Sequence, residues 1–307
     1  MKYVKKRGLV LWTERILSLK PTVLSTIFFS ALKNGVKLRQ RGPCPALSDA
    51  EVITMQVVGE FLGIDGDKNI WEYFKLNWKH FFPKIGDRTT FVKQIGNLWY
   101  WVERLQQILA KKLGAYRDTL HVTDGFPIPV CSFKRAHFSR SFKGDADYGF
   151  CAAKGMTYYG FKGHLVISSQ GIVSNFCFAP ANIDERDVLP ENVDGLQGMI
   201  LGDKGLIRPE LQEELLKNGL QLEYPLRSNM KETRSLRYLK AMKDQRRLVE
   251  TTISQLSERL NIEKVRGRKN LRRLGNRFMR KILAHTIGVY MNKQLGRPLL
   301  QLEGLVG

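Results

Sequence analysis

The stretch Thr119-Leu-His-Val-Thr-Asp-Gly125 decides the fold of this chain. Its first five residues are mostly β-branched or apolar, which predicts a short strand that stops at Asp124-Gly125. A glycine after the acid would let the backbone turn away and leave the carboxylate of Asp124 exposed at the end of the strand. Because Asp before Gly is most often a turn residue, this position alone does not define a site.

A second strand of the same design lies further along the chain. Met199-Ile-Leu201 is a short apolar run that stops at Gly202-Asp203, again an acid beside a glycine. Between the two runs, Thr157 to Ser169 and Ile172 to Ala179 predict two strands joined by a hairpin turn at Gln170-Gly171. The sequence therefore predicts a sheet in which acidic residues follow two of the strands.

Helical patterns surround these strands. Residues 208–218 and about 244–260 have the apolar spacing of helices. The first 115 residues are predicted to be mostly helical, with a capping box at Ser48-Asp-Ala-Glu51 and a single long helix from Phe91 to about Leu113. The order of these elements predicts an α/β fold, a mixed sheet with flanking helices, preceded by a mostly helical N-terminal domain.

The charge of the chain indicates a polyanionic partner. The sequence holds 50 Lys and Arg against 29 Asp and Glu, a net charge of +21. Residues 231–281 alone contain 17 of these cations and 5 of the acids. Such a dense excess favours contacts with the phosphates of nucleic acid over a merely solvated face. We expect three regions: a helical domain over 1–115 for DNA binding or dimerisation, a catalytic domain over 116–290 and a tail over 291–307.

Other partners and compartments are less well supported by the sequence. The apolar run from Pro21 to Leu32 is far shorter than the roughly 20 residues of a spanning helix, so no membrane contact is expected. The N-terminus lacks the pattern of a signal peptide. Four scattered cysteines, Cys44, Cys131, Cys151 and Cys177, form no Cys/His cluster and predict reduced thiols in a cytoplasmic, nucleoid-associated protein.

Three acids carry the pattern of a metal site. Asp124 and Asp203 follow predicted strands, and Glu250 lies on a predicted helix with Arg246 one turn earlier on the same face. Transfer of a phosphodiester is commonly promoted by two Mg²⁺ ions about 4 Å apart, which activate the attacking oxygen and stabilise the leaving one. Hard carboxylate oxygens are the ligands that Mg²⁺ prefers. Acids at strand ends together with one from a crossing helix could converge on such a site.

Four blocks of this chain resemble the catalytic blocks of insertion-sequence DDE transposases. They are Val122-Thr-Asp-Gly-Phe-Pro-Ile-Pro-Val130, Tyr159-Gly-Phe-Lys-Gly-His-Leu165, Leu201-Gly-Asp-Lys-Gly205 and Arg246-Arg-Leu-Val-Glu-Thr-Thr-Ile-Ser-Gln-Leu256. The N-terminal stretch Arg41-Gly-Pro-Cys-Pro-Ala-Leu-Ser-Asp-Ala-Glu-Val52 resembles one small branch of the same family, so the resemblance covers nearly the whole chain. Together the blocks are specific, although each alone would not be.

The resemblance implies a bacterial transposase with a ribonuclease-H-like fold. It assigns Asp124, Asp203 and Glu250 as the ligands of Mg²⁺, for which Mn²⁺ can substitute, and Arg246 as a catalytic residue. The implied partners are double-stranded DNA, in the form of element terminal repeats and target DNA, and a second copy of the chain in a homodimer. In related enzymes a Lys often follows the third acid by seven residues, but position 257 is Ser here, and Arg259 or Lys264 could substitute.

Several further residues have more than one interpretation. Phosphate contacts are expected from a cluster of cations in the basic region: Lys264, Arg266, Arg268, Arg272 and Arg273. Lys162 and His164 share a strand face and could lie near the site, although a strand histidine is more often structural. Asp187 is an alternative second metal ligand. Two other functions stay open: a nuclease of the same fold that cuts without joining, and a decayed transposase that binds DNA without cutting it.

Overall fold

The computed structural model describes residues 45–265 and 270–303. The described chain forms two compact units, one of residues 45–109 with 275–303 and the other of residues 110–274. Residues 275–290 thus group with the N-terminal helices, whereas the predicted boundaries place them with the sheet. The assignment of functions to residues 1–115, 116–290 and 291–307 stays a prediction.

The secondary structure is as follows. The helices are α1 (Asp49–Phe61), α2 (Asp67–Asn77), α3 (Arg88–Asn97), α4 (Trp99–Leu113), α5 (Phe133–Ala136), α6 (Glu185–Asn192), α7 (Pro209–Lys217), α8 (Leu236–Ser254) and α9 (Leu271–Gln294). The strands are β1 (Leu120–Ser132), β2 (Asp147–Cys151), β3 (Met156–Ser168), β4 (Val173–Pro180), β5 (Gly198–Leu201) and β6 (Leu220–Glu223). A π-helical turn over residues 255–259 extends α8.

The first unit is helical, and its first described helix begins as the sequence predicts. The Ser48 hydroxyl accepts a hydrogen bond from the Glu51 N–H at 3.2 Å, and the Glu51 carboxylate accepts one from the Ser48 N–H at 2.8 Å. This confirms the capping box. The single helix predicted from Phe91 to Leu113 is wrong, because α3 ends at Asn97 and α4 starts two residues later. Gly96 and Asn97 are poor helix formers, which favours a break at that point.

A buried ion cluster ties α1 to α9 within this unit. Arg280 and Lys281 are 1% and 2% exposed, although both belong to the basic run of the sequence. Arg280 pairs with Glu60 and donates to Asp67 at 2.8 Å, while the Lys281 ammonium lies 2.6 Å from the second oxygen of Glu60. Glu60 is itself 2% exposed, and together with Asp67 it balances the charges of Arg280 and Lys281 in the core.

The second unit contains a mixed sheet with the strand order β2-β3-β1-β5-β6, in which β4 also pairs with β3. The pairs β1–β3, β2–β3 and β3–β4 are antiparallel, whereas β1–β5 and β5–β6 are parallel. The hairpin of β3 and β4 turns at residues 169–172, as the sequence predicts. This sheet, with its flanking helices and the helical region before it, confirms the predicted fold class.

β1 is longer than predicted. The expectation that it stops at Asp124-Gly125 is wrong, because β3 continues beside it as far as Ser132. Its other neighbour, β5, pairs only with Leu120 to Val122. Beyond that point no strand of the described residues pairs with β1 on the β5 side, and an edge of this kind tolerates residues such as Pro127 and Pro129 that lack an N–H group.

Helices cover the sheet on its two faces. On one face α6 and α7 pack on Ile200 and Val166 through a core of leucines that includes Leu189 and Leu215. On the face of Met199 lies α8, whose Tyr238 hydroxyl is 3.8 Å from the sulfur of Met199. α8 begins earlier than the predicted residue 244, because Ser235 caps it by accepting from the Tyr238 N–H.

Candidate active site

The register of β1 and β5 brings two of the predicted acids to the same level of the sheet. Leu120 pairs with Met199, and Val122 pairs with Leu201. Two residues further along the chain, β1 reaches Asp124, and the segment that follows β5 reaches Asp203. Both acids line one recess with room for about one water-sized group, together with Thr123, His164, Glu185, Leu189, Asn192 and Leu206.

Asp124 has an unusual ionisation. The pKa of this carboxyl is raised to about 6, chiefly by burial and to a smaller extent by the carboxylates of Glu185 and Asp203. A hydrogen bond from the Gly125 N–H to Oδ1, 2.8 Å long, and the guanidinium of Arg246 act in the opposite direction. A carboxyl with a raised pKa in a recess with other acids is a marker of a functional site, because placing like charges together costs folding free energy.

Arg246 reaches this pair of acids from α8. Its Nη2 lies 3.4 Å from Oδ1 of Asp203. Glu250 follows one helical turn later and is exposed. It lines a surface depression with Arg246, Lys243 and Arg247, rather than the recess of Asp124. The structure thus brings Asp124, Asp203 and Arg246 together, while Glu250 lies on the same helix outside the recess.

The donor chemistry of the recess suits a divalent cation. Two carboxylates face each other where a positive charge would relieve their repulsion, and oxygen donors are the ligands that Mg²⁺ accepts. Within residues 45–265 and 270–303, however, the side chains of His, Cys, Asp and Glu form no preassembled group of three around one point. The assignment of Glu250 as the third ligand stays a prediction.

Glu185 is a site neighbour that the sequence argument did not select, and it lies beside Lys162, which the sequence did offer as a possible neighbour of the site. Their side chains form an ion pair beside Gly125. A Cβ at Gly125 would lie 2.6 Å from Oε1 of Glu185 and 2.9 Å from Cε of Lys162. Gly125 is therefore needed for space and not for a turn. The only sequence signal for Glu185 is an acid in the first turn of a helix, which ordinarily stabilises the helix dipole.

The structure shows where His164 and Asp187 lie, two residues for which the sequence allowed more than one interpretation. His164 lines the recess, is 5% exposed, and has no hydrogen-bond partner for Nε2 among the described residues. Burial lowers the pKa of His164 to about 4, so the ring is neutral at pH 7. Asp187, the alternative second ligand, pairs with Arg208 and is exposed, outside the recess.

The cations that the sequence predicts to contact phosphate differ in where the structure places them. Lys264, Arg272 and Arg273 are exposed, while Arg266 and Arg268 lie outside the described residues. Arg280 and Lys281 belong to the basic run of the sequence but are buried against Glu60. The described cysteines, Cys131, Cys151 and Cys177, are free thiols. No helix within the described residues has the length and apolarity needed to cross a bilayer.

The fold and the recess define an α/β protein with a carboxylate-lined site. A family model for the transposase DDE domain matches residues 115–270, half of the chain, and the chain therefore belongs to this family. No curated protein matches. A solved structure with similarity is a cryo-EM structure of the piggyBac transposase synaptic complex with hairpin DNA, with 11% identity, 95% of this chain and 79% of that chain covered, and a TM-score of 0.42.

Proposed function

We propose that this transposase cleaves DNA strands at the ends of a bacterial insertion sequence and joins the freed 3′-hydroxyl to target DNA. The observation that carries the proposal is the register of β1 and β5, which places Asp124 and Asp203 side by side in one recess. Arg246 at that recess supports it, because a guanidinium can contact a phosphate near the bond that breaks.

The residues of the site would have different roles in phosphodiester transfer. Asp124, Asp203 and Glu250 would hold two Mg²⁺ ions, or Mn²⁺ in their place, which supply charge stabilisation and lower the pKa of the attacking hydroxyl. Arg246, which lies beside Asp203, would contact the substrate phosphate. The neutral ring of His164 adds no positive charge beneath the acids. Protein groups chiefly position the strands in this chemistry.

The DNA that we propose as partner is held by cations outside the recess. Exposed Lys264, Arg272 and Arg273 would contact phosphates of terminal repeats and of target DNA alike, because phosphate contacts carry little sequence information. Arg266 and Arg268 belong to the same proposal. We further propose a homodimer, which would bring two element ends together, acting in the cytoplasm at the nucleoid.

A cleavage assay tests this function. The purified chain is incubated with DNA that carries its own element ends and flanks, with Mn²⁺ or with EDTA, and nicks are mapped to single nucleotides. We expect Mn²⁺-dependent nicks at the element boundary and, with added target DNA, joined products. Nicks without joined products would indicate a nuclease, and tight end binding without nicks would indicate a decayed, DNA-binding copy.

A further inference from the structure

Three exposed aromatic side chains lie together at the far end of β1. Phe133, Tyr148 and Phe150 are 57%, 43% and 68% exposed, respectively. The rings of Phe133 and Tyr148 meet edge to face with their centroids 5.7 Å apart. Tyr148 and Phe150 are two residues apart on β2 and so share one face. We call these three residues the aromatic surface. Large apolar groups in water at this density mark a binding site.

Regular structure supports this surface from below. β2 is hydrogen-bonded to β3, with Tyr148 opposite Tyr159 and their ring centroids 5.3 Å apart. The segment that leads to β2 is fixed by buried Phe142, whose carbonyl accepts a hydrogen bond from the Tyr159 hydroxyl at 3.0 Å. The aromatic rings are therefore presented by a paired strand and an anchored segment.

The charges around the aromatic surface indicate what it binds. Four exposed cations lie in the same stretch of chain: Lys134, Arg135, Arg140 and Lys143. None of them makes an ion pair with a described residue, and the only acids in residues 133–150 are Asp145 and Asp147. Exposed aromatic rings in a stretch of chain with an excess of exposed cations complement a strand that has flat apolar bases and anionic phosphates.

We infer that the aromatic surface stacks unpaired bases of a DNA strand while the neighbouring cations contact its phosphates. Side chains two residues apart on a strand are roughly 6.6 Å apart. Bases stack about 3.4 Å apart, so one base fits between the rings of Tyr148 and Phe150. A paired duplex keeps its base faces covered and cannot use this surface. The inference rests on the proposed function only in that DNA is the partner.

The position of the surface predicts where on the DNA the contact falls. Nine residues of β1 and its continuation separate Asp124 from Phe133, which corresponds to roughly 25–30 Å of strand. At about 3.4 Å for each nucleotide, the stacked base lies about eight nucleotides from the bond held at the carboxylates. Strands that separate near a cleavage point would expose bases at such a distance.

The test compares two DNAs that differ only in pairing. Both carry the element end and 2-aminopurine eight nucleotides from the boundary, and one has three unpaired bases around that position. Affinity and 2-aminopurine fluorescence are measured in EDTA, so that the result does not depend on cleavage. We expect the wild-type chain to prefer the unpaired DNA and to quench its fluorescence.

The variants separate stacking from charge. Tyr148→Ala and Phe150→Ala should each weaken binding to the unpaired DNA by about fivefold to a hundredfold and leave the paired duplex unaffected. Lys134→Gln with Arg135→Gln should weaken both DNAs and flatten the salt dependence by about two in log–log slope. Leu216→Ala, at a 65% exposed leucine on α7, is the matched control and should change neither affinity.

Three results would overturn the inference. Equal affinity of the wild type for the two DNAs is the first, and an undiminished preference in both Tyr148→Ala and Phe150→Ala is the second. The third is that these substitutions change the sedimentation of the DNA-free protein but not its preference for unpaired DNA. That result would show that the aromatic surface contacts a second copy of the chain. A chain that prefers unpaired DNA but never nicks would contradict the proposed function and leave this inference standing.

Discussion

This molecule has two clusters of charged side chains, one in each compact unit, which differ in burial and in charge balance. Around Glu60 the carboxylate is surrounded by Arg280 and Lys281, and all three side chains are almost completely buried. Around Asp124 acids outnumber close cations, the recess opens to solvent, and the pKa of the central carboxyl is raised to about 6. The first arrangement is complete without a ligand, whereas the second leaves negative charge that a bound cation would neutralise.

The largest expected effect separates catalysis from folding at the second cluster. Asp124→Asn, Asp203→Asn and Glu250→Gln should each reduce cleavage by about a thousandfold or more, because each removes a metal-binding oxygen. Binding to element ends and the melting temperature should stay near wild-type values. Asp244→Asn is the control, since Asp244 lies on α8 with Glu250 but pairs only with nearby Arg247. Near-normal cleavage by one of the three variants would remove that residue from the site.

The buried cluster should respond to the same chemical change in stability instead. Glu60→Gln should reduce the free energy of unfolding by about 3–5 kcal/mol, because Arg280 and Lys281 would keep their charges in the core without their shared partner. Denaturant unfolding measures the loss. Glu72→Gln is the control: its pair with Lys68 is exposed, and its loss should cost less than about 1 kcal/mol. Equal losses for the two variants would show that burial does not distinguish these ion pairs.

Glu185 tests whether the acids around Asp124 bind a metal ion, because its carboxylate lies beside Asp124 in the same recess. Glu185→Gln should weaken Mn²⁺ binding, measured by calorimetry without DNA, by about tenfold to a hundredfold, since it removes negative charge beside Asp124 and frees Lys162. Asp187→Asn, on the same helix but outside the recess, should leave the affinity unchanged. If both variants bind Mn²⁺ equally, Glu185 only stabilises the start of α6.

The most gradual expected effect is a pH dependence in the helical unit. Burial lowers the pKa of His285 on α9 to about 4, from an ordinary value near 6.5. The unfolded chain therefore takes up this proton first as pH falls, and the contribution of His285 to stability is lost between about pH 6.5 and 4. The loss is about 1 kcal/mol for each pH unit in that window. Thermal unfolding should show a shallower pH slope for His285→Leu; an unchanged slope would assign the dependence to other groups.

The sequence predicted the strands beside the two acids better than it predicted the surroundings of these acids. The spacing between Asp124 and Asp203 equals the offset of the registered pairs of β1 and β5, and both acids line one recess. Their role as metal ligands stays a prediction. The end of β1 was mispredicted, because Asp124-Gly125 was taken as the signal of an ending. Its antiparallel partner β3 continues, and no local pattern shows which edge of a strand is open.

Long-range contacts account for most of what the sequence could not show. Arg280 and Lys281 belong to a run of cations that favours DNA, and acids more than 200 residues earlier, chiefly Glu60, explain their burial. The approach of Glu185 and Lys162 to Gly125 likewise depends on how α6 packs on the sheet. Charge and periodicity describe local preference, whereas pairing across the fold decides which charges reach solvent.

The return of the chain to its first unit gives the protein an order of assembly during synthesis. Glu60 emerges from the ribosome long before its two partners, because the whole sheet is encoded between them. At roughly 5–20 residues each second, the sheet has about 10–40 s to form while Glu60 waits. A chain that ends before α9 would contain Glu60 but lack Arg280 and Lys281, which pair with it in the core. We expect such incomplete chains to be more open to proteolysis. The helical unit can therefore complete its folding only after α9 has been synthesised.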